Sequence, residues 1–261
     1  MNPFDANVIS PLATLDPSVS LSHGAVIHEN VTIAGGTTVG NHVVIMPDVR
    51  IGSGVTIQDF ATIGKVPRAA RTATLGAQTI ERETRVEEGA TIGTGAVVYA
   101  GCHIGRNAFV GDGASMRENC RVGDHSVVGR GVNLEFHVTI GRRCLIFTAS
   151  YLSENTLLED DVFIGARVCT ASGTVMSHRR TIPCESQGPV IRAGARIGTG
   201  ACLHPGITVG REAVVALGAV VFESVPEATL VLGNPARPVK KVPADEFIDP
   251  SMGHGGRGPG G

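Results

Sequence analysis

An aliphatic residue returns at every sixth position over most of this chain. The first run goes from Ile9 to Ile63, the second from Val86 to Thr170 and the third from Ile191 to Val221. Of these 31 positions, only Thr170 is neither aliphatic nor methionine. A period of six matches neither an amphipathic helix nor an alternating strand. It predicts a solenoid of short parallel strands, with three strands in each coil of 18 residues.

The remaining positions of the six-residue unit agree with this prediction. The second position is often Gly, and the fifth is small, as at Ala90, Ala96, Ala108, Ala114, Ser126, Ala195 and Ala201. We expect the first and fifth positions to face inward, with Gly, Asn and Asp at corners where a positive φ is easily adopted. Stacking at ~4.8 Å gives a prism of about ten coils, roughly 50 Å tall.

The cysteines fit the same register. Cys102, Cys120 and Cys144 all fall at fifth, inward positions, without a CxxC spacing. We interpret them as small core residues in a reducing compartment rather than metal ligands.

This pattern resembles the hexapeptide-repeat acyltransferases, whose fold is an all-β, left-handed parallel β-helix. The resemblance runs from residue 9 to about residue 238. Within it, "SENTLLEDDVFIGARV" (153–168) and "GNPAR" (233–237) are similar to the branch that N-acetylates nucleotide-linked amino sugars. The resemblance implies acetyl-CoA or another acyl-CoA as co-substrate, and a homotrimer with sites between subunits.

Two insertions interrupt the repeat. The run that stops at Ile63 restarts at Val86, and the run that stops at Thr170 restarts at Ile191. Long loops on a regular scaffold are usually functional. We predict a β-helix acyltransferase domain over residues 1–238, with insertions near 65–85 and 171–190. Residues 239–261 form a C-terminal extension ending in a Gly-rich flexible tail.

Stacking places candidate residues together. Residues 18 apart lie above one another, so Phe136, Glu154 and Ser172 form one corner column, and His137, Asn155 and Gly173 lie beside it. If the second insertion leaves after Thr170, His178 can reach Glu154 and His137. If it leaves after Met176, it starts one face away. We favour the first geometry.

Acyl transfer to an amine needs a proton acceptor and stabilisation of the oxyanion. His178 or His137 is the candidate base, and Glu154 would hold the amine; alternatively, the departing thiolate takes the proton and no protein base is used. Asn155 and Arg179 are expected to bind the acceptor. In the first insertion, Lys65, Arg68 and Arg71 are candidates for contacts with a substrate diphosphate.

For the acyl-CoA, the resemblance implies backbone contacts along the last coils and phosphate contacts after them. The corresponding backbone positions are Ala201, Gly218 and Ala219, and the candidates for the phosphates are Asn234, Arg237, Lys240 and Lys241. The chain departs from the family at Ala171-Ser172-Gly173, where Thr-Asn-Asp is common, and the loss of that carboxylate leaves the sugar open.

Composition excludes several other classes. Lys plus Arg number 22 against 24 Asp plus Glu, so no chain-wide attraction to nucleic acid is expected. No apolar run approaches the ~18 residues of a membrane span, and no secretory signal is visible; we expect a cytoplasmic protein. A zinc site using His23 and His28, as in trimeric carbonic anhydrases of this fold, lacks its third histidine upstream. An O-acyltransferase and a non-enzymatic scaffold remain alternatives.

Overall fold

The computed structural model describes residues 6–68, 79–173 and 186–248 as three parallel β-sheets wound into one prism. From β1 to β31, consecutive strands fall on sheets A, B and C in turn, so each sheet pairs a strand with the one three places later. Sheet A has 11 strands, sheet B has 10, and sheet C has 12 including a final antiparallel strand. The predicted fold class, a parallel β-helix, is confirmed.

The strands before the second run of the repeat are β1 Val8–Ile9, β2 Thr14–Leu15, β3 Ser20–Leu21, β4 Val26–Ile27, β5 Thr32–Ile33, β6 Thr38–Val39, β7 Val44–Ile45, β8 Val49–Ile51, β9 Thr56–Ile57 and β10 Thr62–Lys65. The second run forms β11 Thr84–Val86, β12 Thr91–Ile92, β13 Val97–Tyr99, β14 His103–Ile104, β15 Phe109–Val110, β16 Ser115–Met116, β17 Arg121–Val122, β18 Val127–Val128, β19 Asn133–Leu134, β20 Thr139–Ile140, β21 Leu145–Ile146, β22 Tyr151–Leu152, β23 Leu157–Leu158, β24 Phe163–Ile164 and β25 Cys169–Thr170. The last part forms β26 Val190–Ile191, β27 Arg196–Ile197, β28 Cys202–Leu203, β29 Thr208–Val209, β30 Val214–Val215, β31 Val220–Val221, β32 Thr229–Gly233 and β33 Ala236–Lys241.

The repeat builds the core directly. The first position of each unit lies in a short strand, usually of two residues, and points inward, so residues such as Ile45, Met116 and Ile197 are fully buried. The fifth position fills the corner of the interior, where Cys102, Cys120 and Cys144 are buried as predicted. The stacked aliphatic columns form one continuous hydrophobic core along the prism.

The prism contains one coil more than the ten or so expected from the six-residue count. After Val221 the spacing changes, and Val225 and Val231 take the inward positions instead. Val225 pairs with Val209 as an isolated bridge, and β32 pairs with β30, so the chain completes another turn without the regular period.

Two different positions keep the corners tight. A positive φ falls at the fourth position of most units, which most often holds Gly and elsewhere Asn, His, Asp, Arg, Ala, Phe or Glu. The second-position Gly has another role, which the sequence did not reveal. A Cβ on Gly105 would lie 2.7 Å from the backbone N of Asp124 in the next coil, so a side chain there would push neighbouring coils apart.

The end of the chain folds back on the prism. β33 pairs with β32 in antiparallel register and is followed by a short 3-10 turn, Ala244–Glu246. Ile248 N donates a hydrogen bond to Glu212 Oε1 at 3.2 Å. The Gly-rich tail predicted to be flexible lies outside the described residues. No helix in the described ranges is long and apolar enough to cross a membrane.

Candidate active site at one corner of the prism

Both insertions interrupt the same corner of the prism, the turns that lead from sheet A to sheet B, here called the A/B corner. The first insertion separates β10 of sheet A from β11 of sheet B, and the second separates β25 of sheet A from β26 of sheet B. The chain therefore leaves the repeat after Thr170, which is the geometry we favoured. A regular scaffold interrupted twice at one edge concentrates irregular structure there.

The second insertion returns to the prism beside Asn155. The side-chain amide of Asn155 donates to the carbonyl oxygen of Ser186 at 3.1 Å. Gln187 N donates to Ser172 O at 2.8 Å, which ties the returning chain to the departing one. The predicted acceptor-binding role of Asn155 thus has a competing structural use, because its amide fixes the end of the insertion.

The first insertion returns beside Asn119, two coils below Asn155. Asn119 Nδ2 donates to Thr79 O at 2.8 Å, and Asn119 Oδ1 accepts from Glu81 N at 3.0 Å. Arg121 forms an ion pair with Glu81 at 3.0 Å. The chain enters β11 only at Thr84, so the segment from Thr79 to Glu83, here called the returning arm, descends along the corner from a level two coils higher.

His137 lies between these two anchor points. Asn119, His137 and Asn155 occupy the same corner position in three successive coils, each at a φ of +59°. At ~4.8 Å per coil, the two asparagines are about 10 Å apart along the corner. Asn119 and Asn155 anchor the two insertions in the coils below and above, and half-buried His137 lies in the coil between them. This is the best-placed proton acceptor among the predicted residues that the structure describes.

Carboxylates crowd the sheet A side of this corner. Arg117 donates to both oxygens of buried Glu118, at 2.8 and 2.9 Å, and its Nη1 lies 3.5 Å from Glu135 Oε2. Burial raises the pKa of Glu135; Arg117 opposes that rise and Glu154 adds to it. Burial, with Glu135 and Glu154 nearby, also raises the pKa of Tyr151 to about 12. Glu135 and Glu154 repel each other, so a bound cation would be favoured beside them.

Thr170, the single exception in the repeat, marks where the chain turns away. In the coil below, Glu135 N donates to the main-chain oxygen of Leu152 at 2.9 Å. One coil higher, Ser153 N donates to Thr170 Oγ1 at 2.7 Å. The buried hydroxyls of Ser153, Thr156 and Thr170 lie 2.9–3.3 Å apart. A side-chain oxygen therefore supplies the acceptor where the strand bends out into the insertion.

The predicted basic residues of the first insertion are placed only in part. Lys65 is exposed, with its Nζ 5.1 Å from the centre of the Tyr99 ring, and Arg117 approaches the same ring at 5.4 Å. Arg68 is also exposed. Arg71 of this insertion, together with His178 and Arg179 of the second, lies outside the described residues.

The residues predicted to bind acyl-CoA lie elsewhere on the prism. The amides of Ala201, Gly218 and Ala219 donate to Gly198, Thr199 and Ala216 in the turns of the last coils. Asn234, Arg237, Lys240 and Lys241 belong to the exposed β32–β33 hairpin of sheet C, across the prism from the A/B corner. Within one chain, the structure therefore does not bring the residues predicted to bind acyl-CoA close to the predicted catalytic residues at the A/B corner.

Sequence reasoning missed Asn119, Arg117 and Glu135. The signal for Asn119 was present, because it precedes His137 by 18 residues and so continues the same column one coil down. The contacts of Thr79 and Glu81 had no such signal, since the insertion follows no period. In the described part of the chain, no three His, Cys, Asp or Glu side chains are arranged to hold a metal ion.

Family models match the repeat itself. The model for the bacterial transferase hexapeptide, of six repeats, matches residues 36–65, 83–117 and 101–136. The model for the hexapeptide repeat of succinyl-transferase matches residues 191–223. The chain thus carries the hexapeptide repeat of these transferases over residues 36–65, 83–136 and 191–223. The resemblance drawn from the sequence is therefore confirmed at the level of the family.

Individual relatives of this hexapeptide-repeat protein match part of it. The serine acetyltransferase of Salmonella typhimurium is 37% identical over 115 residues, covering 43% of this chain and 38% of its own. A provisionally named acetyltransferase of Schizosaccharomyces pombe is 35% identical over 86 residues, covering 32% and 42%. The chain thus spans about 40% of the length of these curated relatives.

A solved structure matches nearly the whole fold. The UDP-N-acetylglucosamine acyltransferase of Bacteroides fragilis superposes with a TM-score of 0.51, covering 92% of this chain and 74% of its own. At 15% sequence identity, this likeness concerns the β-helical fold alone.

Proposed function

We propose that this protein is an acyl-CoA-dependent N-acyltransferase whose active site is the A/B corner around His137. The acceptor is the amine of a small molecule of the nucleotide-linked amino sugar class, and the acyl group is acetyl. The observation that carries the proposal is the position of His137, which stands between the anchor points of both insertions. The names of the relatives, which are acetyltransferases, support the reaction class.

The charges at the corner favour an amine over a hydroxyl as acceptor. An amine reaches the site largely as an ammonium ion at neutral pH, and Glu135 and Glu154 lie near each other on the sheet A side of the same corner. A hydroxyl gains nothing comparable from two carboxylates. The nucleotide portion is inferred from the basic side chains of the first insertion, since Lys65 and Arg68 are suited to a diphosphate.

The reaction follows from these roles. Glu154 binds the ammonium group, and His137 removes one of its protons, which frees the lone pair of the nitrogen to attack the thioester carbonyl carbon. The new C–N bond forms and the C–S bond breaks. The departing thiolate of coenzyme A takes a second proton from the nitrogen, and His137 releases the first proton to solvent. His178 is the alternative base. Arg179, Arg68 and Arg71 complete the proposed acceptor contacts.

The donor side of the proposal uses the last coils. Coenzyme A would lie along Ala201, Gly218 and Ala219, with Asn234, Arg237 and Lys240 toward its phosphates. Because this hairpin is across the prism from His137 in one chain, the proposal requires that a neighbouring subunit supply the donor contacts. A homotrimer meets that requirement.

The test compares two histidines in the same backbone conformation. His137 and His125 both have a φ of +59°, but His125 lies at a turn between sheets B and C. We expect His137→Ala to lower kcat by about 10²- to 10⁴-fold in an assay of thiol release from acetyl-CoA with a panel of amino sugars. His125→Ala should keep wild-type kcat, because it imposes the same backbone cost without removing the base.

The same assay decides the rival assignments. Glu154→Gln should lower kcat/KM for the amine about 30- to 1000-fold. Loss of activity in His178→Ala with His137→Ala unaffected would transfer the role of base to His178. If only hydroxyl acceptors release thiol, the protein is an O-acyltransferase; if no acceptor does, the proposed activity is wrong.

A further inference from the structure

The returning arm of the first insertion is held against the A/B corner by more contacts than a surface loop needs. Both ends of the Asn119 amide bind it, through Thr79 O at 2.8 Å and Glu81 N at 3.0 Å. Asn119 itself is buried, with 7% of its surface exposed. Below it, Glu83 pairs with Arg50 and Arg85. The arm is therefore fixed at both its upper and its lower end.

The corner is also shaped to admit the arm. Gly101 lies one coil below Asn119 at a φ of +77°, and a Cβ there would lie 2.9 Å from Glu81 O and would overlap the Asn119 amide. Thr84, where the arm enters β11, is fixed to the same glycine, because its buried Oγ1 accepts a hydrogen bond from Gly101 N at 3.1 Å. A larger residue at position 101 would displace the arm.

The height at which Asn119 holds the arm along the corner places the arm close to His137. Glu83 and Thr84 fix the lower end of the arm, whereas Asn119 fixes its upper end at Thr79 and Glu81. With Asn119, Thr79 is held one coil below His137, about 5 Å along the corner. The second insertion, tied to Asn155, borders the same gap from above.

We infer that Asn119 is a positioning residue, which holds the returning arm beside His137 so that the first insertion borders the acceptor subsite of its own chain. The inference rests on the proposed function and adds a location for the acceptor. The acceptor is bordered by Thr79 below and by Ser186 above, which are the described ends of the two insertions of one chain. The donor side is left to the neighbouring subunit.

The test removes the two hydrogen bonds from the Asn119 side chain to the returning arm without straining the backbone. Asn119→Gly deletes the amide at a φ that Gly adopts freely, and Asn119→Asp keeps the acceptor for Glu81 N but loses the donor to Thr79 O. Asn107→Gly is the matched control, because Asn107 has a φ of +51° at a turn between sheets B and C where the chain has no insertion. Two quantities are measured: hydrogen–deuterium exchange of residues 79–83 and the KM for acceptor and donor.

We expect Asn119→Gly to speed exchange in residues 79–83 and to raise the acceptor KM about tenfold, with Asn119→Asp intermediate. The acetyl-CoA KM and kcat should stay within about twofold. If exchange becomes faster but the acceptor KM is unchanged, the returning arm does not border the acceptor subsite. If exchange is unchanged, the hydrogen bonds of Asn119 do not hold the arm in place. If wild-type protein transfers no acyl group to any acceptor, the proposed function fails, whereas the exchange result still decides whether Asn119 holds the arm.

Discussion

At the scale of single residues, one corner conformation carries very different side chains. The fourth position has a positive φ in most units, and residues as different as Gly, Asn, His, Arg and Glu212 occupy it. Glu212 is 2% exposed, and its Oε2 has no hydrogen-bond partner among the described residues. Such a buried, half-satisfied carboxyl group destabilises the folded state when it is ionised. The repeat therefore tolerates a costly residue here.

Glu212 should make stability depend on pH. Burial raises its pKa above the ordinary 4.5; Ile248 N, Arg196 and Arg211 oppose that rise and Asp161 adds to it. Because the folded state then holds the proton more tightly than the unfolded state, the free energy of unfolding falls as pH rises from 4.5 through the raised pKa. We expect Glu212→Gln to flatten this fall and to be more stable than wild type at pH 7.

The measurement is denaturant unfolding across pH 4 to 8, with exposed Glu223→Gln as control. A Glu212→Gln protein with the same pH slope as wild type would contradict the assignment.

At the scale of elements, the period of six predicted the strands, their three-sheet order and the inward positions, because each unit buries its first residue in the same way. It also predicted the column that brings His137 and Asn155 together. It did not predict the returning arm, since the hydrogen bonds of Thr79 and Glu81 come from outside the period. The six-residue period therefore predicts the strands of the scaffold, but it does not predict the contacts that an insertion makes.

The exception at Thr170 is an element-scale feature that can be tested. Thr170→Val keeps the shape of the side chain but leaves the buried Ser153 N–H without its acceptor, so the free energy of unfolding should fall by about 1–3 kcal/mol. Thr170→Ser keeps the hydroxyl and should lose less.

Chemical denaturation gives the free energy of unfolding of both variants. Ile164→Val, at the preceding first position, shows how much stability is lost when one buried methyl group is removed. Equal losses in Thr170→Val and Thr170→Ser would mean that methyl packing, and not the hydrogen bond, holds the bend.

At the scale of the whole molecule, sheet C presents an apolar row to the outside. Its outward residues on four neighbouring strands are Phe109, Val127, Leu145 and Phe163. Phe147, at the turn from sheet C to sheet A, packs against Phe163 with ring centroids 5.1 Å apart and is itself 47% exposed. A contiguous apolar row of this kind is typical of an interface. It is therefore our candidate surface for contact between subunits.

We predict that the protein is a homotrimer in which this row is buried, and that the donor contacts of one subunit serve the A/B corner of the next. Phe147→Glu places a charge in the row and should shift the sedimentation equilibrium at micromolar concentration from three chains toward one, with loss of activity. Phe60→Glu is the control, because Phe60 is 59% exposed at the same kind of turn but lies four coils lower, away from the row. It should leave the trimer intact. A monomeric wild-type protein, or an active monomer of Phe147→Glu, would rule out a site shared between subunits, because the hairpin at Arg237 would then have no route to His137.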